Sequence, residues 1–175
     1  MIYRELKDRV GEGQSLGNIG IAFQLMSDYE QAIQYHQQSL RIQQAIGDRI
    51  GERKSLSNLG SAHSSIGSYE KAIEYHQKSL LIAREIKAIR GVGSSLGSLG
   101  NAYQALGDYP KAIAHYEQSL AIAREIKDVR LVGKALGNLG NASYLANDYD
   151  QSIRYYEKSL AIARNSKDRQ SETIS

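Results

Sequence analysis

Two stretches of the 175-residue chain satisfy the G-x-S-x-G pattern of a serine nucleophile, Gly13-Gln14-Ser15-Leu16-Gly17 and Gly93-Ser94-Ser95-Leu96-Gly97. That chemistry needs a sharp strand-to-helix elbow, which lifts the hydroxyl towards substrate. Gly11-x-Gly13 and Gly91-x-Gly93 open like dinucleotide-binding loops, but the third glycine falls one residue late. The imidazoles of His36, His63, His76 and His115 are candidate bases or metal ligands, yet no pair shows the H-E-x-x-H spacing and the chain has no cysteine. Asn141-Ala142-Ser143 is a glycosylation sequon. Each motif has meaning only in the right structural element, so the elements decide among them.

The elements follow from an internal repeat: the chain superposes on itself with a shift of 40 residues, giving units 11–50, 51–90, 91–130 and 131–170. Several columns never vary, among them Leu16/Leu56/Leu96/Leu136, Gly20/Gly60/Gly100/Gly140, Ala22/Ala62/Ala102/Ala142, Tyr29/Tyr69/Tyr109/Tyr149 and Ser39/Ser79/Ser119/Ser159. These are small or apolar residues that fill a core or let helices close on one another, and none is a catalytic group. Leu96, Leu99, Gly100 and Tyr103 fall on one helical stripe, and Ala112, Ile113, Tyr116 and Leu120 on a second. Each unit is therefore a helical hairpin, with helix A at about 49–66 and helix B at about 69–86 in the second unit. Between them, Gly67, Gly107 and Asn147 suit a left-handed residue closing helix A, and Asp28, Ser68, Asp108 and Asp148 are candidate N-caps of helix B. Pro110, the only proline, lies in the first turn of a helix B, where its missing N–H costs little.

This placement removes the catalytic readings. Ser15 and Ser95 fall inside helix A, and the last unit has Ala135 in their column. The histidines replace aromatics: His36 and His76 stand where other units have Tyr116 and Tyr156, His115 where they have Tyr35, Tyr75 and Tyr155, and His63 where they have Phe23 and Tyr103. They are expected to pack structurally, with no catalytic residue, metal or cofactor. Composition agrees with an ordered, soluble chain: 41% hydrophobic, 23% charged, one Pro and no Trp. No run approaches the roughly 18 apolar residues of a membrane span. Arg4, Lys7 and Arg9 interrupt the first ten residues, which lack the apolar core of a signal peptide, so a cytoplasmic location is expected and the sequon is expected to go unused. The net charge of +3 is spread along the chain with no dense basic cluster, which argues against nucleic acid.

The run Leu96…Leu99-Gly100…Tyr103…Gly107-Asp108-Tyr109…Ala112…Tyr116…Ser119-Leu120 resembles the tetratricopeptide repeat pattern, and all four units match it. The family's usual unit has 34 residues and often ends in proline, whereas this one has 40 and carries Arg84, Arg124 and Arg164 near that place. The longer form is similar to the branch found in LGN/Pins-type adaptors and in cyanobacterial multi-repeat proteins, and more distantly to kinesin light chains, whose Asp-His-Pro signature is missing. The resemblance implies a single all-α domain over 1–175: a right-handed α-solenoid, or superhelix, of antiparallel helix hairpins with helix A on the concave side. Residues 1–10 align with the second half of a preceding helix B, and 171–175 with the start of an incomplete repeat.

What remains is a surface. Steps of four, three and four residues keep columns 14, 18, 21 and 25 on one face of helix A, opposite its core stripe. The columns read Gln14/Lys54/Ser94/Lys134, Asn18/Asn58/Ser98/Asn138 and Ile21/Ser61/Asn101/Asn141, beside a low wall of Gly17, Ser57, Gly97 and Gly137. An Asn amide offers a donor and an acceptor to an extended backbone, and a neighbouring lysine can select a carboxylate. Gln14, Asn18, Lys54, Asn58, Asn101, Lys134, Asn138 and Asn141 are thus the candidate groove for an extended or partly helical segment of a protein partner. Such a chain is a scaffold or adaptor module with no nucleic-acid or membrane partner. The alternative is an architectural spacer or self-assembly element, with weak end-to-end association through Ile2, Leu6, Tyr155, Ile162 and Ile174.

Overall fold

The structure, a computed structural model, describes the backbone of residues 2–172 and the side chains of 8–164. Among the described residues it is all-helical: α1 (Ile2–Leu25), α2 (Tyr29–Ile46), α3 (Arg49–Ser65), α4 (Tyr69–Glu85), α5 (Ile89–Ala105), α6 (Tyr109–Glu125), α7 (Val129–Leu145) and α8 (Tyr149–Glu172). No described helix is long and apolar enough to cross a membrane. Contacts gather into two units, Met1–Ala88 and Ile89–Ser175. Within each, successive helices pack as antiparallel hairpins, and the two helices A also touch, α1 with α3 and α5 with α7.

The core is built from the repeating small and apolar columns. In the first unit Ala32, Leu59, Ala62 and Ala72 are fully buried, and in the second Ala112, Leu139 and Ala142. Small residues let the hairpin close: a Cβ placed on Gly60 would lie 2.5 Å from Cε1 of His76, and one on Gly20 2.6 Å from the His36 ring. The invariant serine of helix B ties the same two helices together. Ser39 Oγ donates to the carbonyl of Gly13 at 2.6 Å and Ser119 Oγ to that of Gly93 at 2.8 Å, with Ser79 and Ser159 repeating the bond to Arg53 and Gly133. A hydroxyl bonding to a helical carbonyl 26 residues away leaves no local signature in the sequence.

The hairpin turns have the expected chemistry, with one exception. Gly67, Gly107 and Asn147 have φ of 77°, 78° and 63°. Asp28, Asp108 and Asp148 accept the N–H of Gln31, Lys111 and Gln151. Ser68 occupies the same position but its hydroxyl makes no cap bond. The turns from helix B back to helix A carry a feature the sequence does not announce. Asp48 and Asp128 cap α3 and α7, each preceded by a left-handed residue, Gly47 and Lys127 with φ of 72° and 54°, and Lys87, before Ala88 at the third such turn, has φ of 56°. At Lys127 the flanking bonds, Lys127 N–H to Arg124 and Asp128 N–H to Ala123, form a helix-closing motif that favours glycine. A lysine there crowds its own Cβ against the backbone. Lys127→Gly is therefore expected to stabilise the protein by about 0.5–1 kcal/mol after the entropy of glycine is counted. A thermal midpoint raised by a few degrees checks it, and a lowered one refutes it.

Two boundaries depart from the repeat. Residues 1–10 were expected as a separate helix-B half, and 171–175 as the start of a new helix A. Instead α1 runs unbroken through Lys7-Asp8, and α8 through Lys167-Asp168 as far as Glu172; residues 173–175 lie outside the described residues. These dipeptides align with the Lys127-Asp128 turn. A left-handed lysine is unfavourable, and at these two places the backbone keeps the helical conformation.

Candidate functional site

In the first unit the predicted helix-A face forms a cleft of about 510 Å³ between α1 and α3, and Gln14, Asn18, Lys54 and Asn58 all line it. Its floor is polar but already committed. Ser55 Oγ donates to Gln43 Oε1 at 2.6 Å, Gln43 Nε2 donates to Ser39 Oγ at 3.0 Å, and Ser39 donates onward to the Gly13 carbonyl. Asp48 borders the cleft, but its carboxylate accepts the N–H of Gly51 at 2.9 Å. The groups open to a ligand are therefore on the rims. Gly17 keeps one rim low, since a Cβ there would meet only Ser39 Oγ, at 3.3 Å.

The second unit repeats the arrangement in a tighter form. A cavity of about 90 Å³ between α5 and α7 is lined by Ser94, Ser98, Lys134 and Asn138 over Tyr116 and Ser119. Asn101 is drawn into the structure: its Oδ1 accepts from the Tyr116 hydroxyl at 2.7 Å and from Asn138 Nδ2 at 3.1 Å. Burial raises the pKa of Tyr116, which keeps the phenol a donor. Asn141 is exposed on α7 and is not part of the cavity lining. The candidate residues thus divide into Gln14, Asn18, Lys54 and Asn58 around one cleft, Lys134 and Asn138 around a smaller cavity, Asn101 in a structural bond and Asn141 apart.

The remaining chemical candidates all lie inside helices. Ser95 is buried within α5 and Ser15 lies exposed within α1, neither at a strand-to-helix elbow. His63 stacks on Tyr75 and His115 on Tyr103, each at 5.3 Å between ring centres, as Phe23 stacks on Tyr35. His36 and His76 are buried beneath Gly20 and Gly60, and desolvation lowers their pKa values to about 4. Among the described residues no group of three or more His, Cys, Asp or Glu side chains could hold a metal ion. One feature of the cleft escaped the pattern of columns. Ile21 and Ile50, 42% and 57% exposed, add apolar surface to it. The signal was the single apolar residue in a column otherwise filled by Ser61, Asn101 and Asn141.

Comparison with known proteins gives a consistent picture. The sequence profile described as tetratricopeptide repeat matches residues 11–85 and 91–165. No curated protein sequence matches the chain. Among solved structures, aspartyl phosphate phosphatase F from Bacillus subtilis is similar over 91% of this chain and 42% of its own, with 19% identity and a TM-score of 0.86. A Rap protein complexed with Competence and Sporulation Factor is similar over 91% and 45%, with 17% identity and a TM-score of 0.84. The TPR domain of Arabidopsis FLU is 28% identical over 69% of this chain and 99% of its own, with a TM-score of 0.63. The chain spans less than half the length of the first two, and those likenesses show a shared all-α solenoid fold of helix hairpins.

Proposed function

The chain belongs to the tetratricopeptide repeat family, and from that premise we propose that it is a non-enzymatic protein-interaction module whose helix-A faces receive an extended or partly helical segment of another protein. The observation that carries the reading is the cleft of the first unit. Its floor hydrogen bonds are internally satisfied, while Gln14, Asn18, Lys54 and Asn58 stand on its rims. Rim amides pair with a peptide backbone whatever its sequence, and Lys54 favours an acidic or terminal carboxylate. Lys134 and Asn138 offer the same pair in the second unit. The Rap protein named above was solved with Competence and Sporulation Factor bound, a precedent for ligand binding on a related fold. The activity in the name of the phosphatase is not assigned to this chain.

The clean test removes rim groups that make no structural bond. Asn18→Ala/Lys54→Ala/Asn58→Ala is expected to lose the partners that wild type retains from an extract of the native source, weakening binding by about 10- to 100-fold. Asn101→Ala is a poorer probe because it also takes an acceptor from Tyr116. Equal retention by the variant and wild type, with equal helicity, would mean that the faces are not used.

The second reading, self-assembly, also has an observation behind it, though on other residues than the sequence suggested. Tyr155 and Ile162 pack against the core of the second unit, and the side chains of Ile2, Leu6 and Ile174 lie outside the described residues. The open apolar surface of α8 is instead Ile153, Tyr156 and Leu160, at 56%, 44% and 49% exposure, in columns where α6 buries Tyr116 and Leu120. On α1, Ser15, Ile19 and Ala22 are exposed in the columns where α3 buries Ser55, Leu59 and Ala62. Faces of these two types pair inside each unit, so under this reading α8 of one copy seats on α1 of the next. Sedimentation across a hundredfold concentration range is expected to show mass rising with concentration, and Ile153→Lys/Leu160→Lys is expected to abolish the rise. A monomer throughout would dismiss the reading.

A further inference from the structure

The cleft of the first unit continues into a second hollow of about 440 Å³, and the two share Ile21 and Asn58. The character of the lining changes along the way. Gln14, Asn18 and Lys54 give one end its polar and basic groups, beside Ile50, whereas Ile21, Leu25 and Tyr29 form an apolar seat at the other, among Gln24, Ser61 and Ser65, with Leu25 83% exposed. The second unit has no counterpart to this gradient, because Asn101 and Ala105 stand in the columns of Ile21 and Leu25. The replacement also alters the amide next to it. Asn138 donates to Asn101 across the second unit; Asn58, in the same column, faces Ile21, which cannot accept, so its amide stays available to a ligand backbone.

We propose that the first unit selects a partner segment in which a bulky apolar residue stands three positions from an acidic one; this rests on the peptide-binding reading above and gives it a specificity. The apolar side chain seats on Ile21, Leu25 and Tyr29, the backbone beside it pairs with Asn58, and the carboxylate meets Lys54. The spacing follows from the helices. Ile21 shares its register with Ser61, seven residues from Lys54 along α3, and seven helical residues rise about 10 Å. Three residues of extended chain in the polyproline II conformation span about 9 Å and bring the side chain back to the same face. A carboxylate finds its partner in Lys54, the one cation among the described residues that line the cleft; the carboxylate of Asp48, on the border of the cleft, is already engaged by the N–H of Gly51.

The test uses fluorescein-labelled peptides and the 175-residue protein, with binding read by anisotropy. The probes are Gly-Ser-Leu-Ser-Gly-Asp-Gly-Ser and its reversed sequence, each with one control bearing serine for leucine and one bearing asparagine for aspartate. In one chain direction the two-ended probe is expected to bind at least tenfold more tightly than either control. Ile21→Ala/Leu25→Ala, which removes the apolar seat without offering Asn58 a new acceptor, is expected to bring the leucine-containing probe to the affinity of the leucine-free control. Lys54→Ala is expected to erase only the preference for aspartate. Equal binding of leucine-containing and leucine-free probes to wild type would overturn the proposed specificity and leave the peptide-binding reading standing. No binding of any probe by folded protein would overturn both.

Discussion

Taking the protein from pH 7 to pH 5 is expected to cost on the order of 2 kcal/mol for each of His36 and His76. Both rings are buried in the first unit, and desolvation lowers their pKa values to about 4 from an ordinary 6.5. The sign follows from which state holds the proton. Above pH 6.5 both rings are neutral whether the chain is folded or not, and the full stability is present. Between 6.5 and about 4 the unfolded chain takes up protons that the folded chain refuses, so stability falls as the pH falls. The second unit has Tyr116 and Tyr156 in the same column and escapes this term. Thermal unfolding is expected to shift down by about 10 °C between the two pH values, and His36→Phe/His76→Phe is expected to remove most of the shift. The same exchange should help at neutral pH. Nδ1 and Nε2 of His36 are both buried without a partner, so His36→Phe is expected to gain about 1 kcal/mol by removing an unsatisfied polar group. An identical midpoint at pH 7 and pH 5 for wild type would show that these rings take up a proton in place.

What could be read from the sequence was whatever repeats every forty residues. Helix A, placed at about 49–66, is observed at Arg49–Ser65, and helix B, placed at about 69–86, at Tyr69–Glu85. Periodic apolar columns and turn glycines report local structure, and local structure is what a column records. The left-handed Lys87 and Lys127 were hidden because lysine has no tie to that conformation; only Gly47, in the same column, hinted at it. The serine ties were hidden for a different reason, since each joins residues 26 apart across a hairpin. The unbroken α1 and α8 show the limit of alignment itself: the same Lys-Asp pair turns at 127–128 and stays helical at 7–8 and 167–168.

The groove was legible as a face but not as a shape. Helical phase alone placed Gln14, Asn18, Lys54 and Asn58 together, and they line one cleft. That the second unit closes to about 90 Å³ while the first opens to about 510 Å³ depends on side-chain partners in space. Asn101 bridges Tyr116 and Asn138, whereas the Ile21 side chain offers Asn58 no such bond. Equivalent columns therefore carry different duties, one structural and one open, and a single substitution between Ile and Asn separates them.

Gly60→Leu is expected to be the most damaging single change in the first unit, costing about 3 kcal/mol or more by overpacking the hairpin. A Cβ at Gly60 would stand 2.5 to 2.8 Å from three atoms of the His76 ring, and that ring is 2% exposed with little room to withdraw. The column behaves alike elsewhere, as Gly100 closes on Tyr116 and Gly140 on Tyr156. Even Gly60→Ala is expected to destabilise, although alanine exceeds glycine in helix propensity by about 1 kcal/mol. Contact outweighs propensity at this column, and the reverse holds one turn away on another helix A. At Gly137 a new Cβ would meet only Ser159 Oγ, at 4.0 Å, so Gly137→Ala is expected to stabilise by up to about 1 kcal/mol. The same substitution is thus expected to act with opposite signs at two glycines of one repeat pattern. Denaturant midpoints at unchanged slope measure both effects. A Gly60→Ala midpoint at or above that of wild type would show that helices A and B do not meet at this column, and that its invariance has another cause.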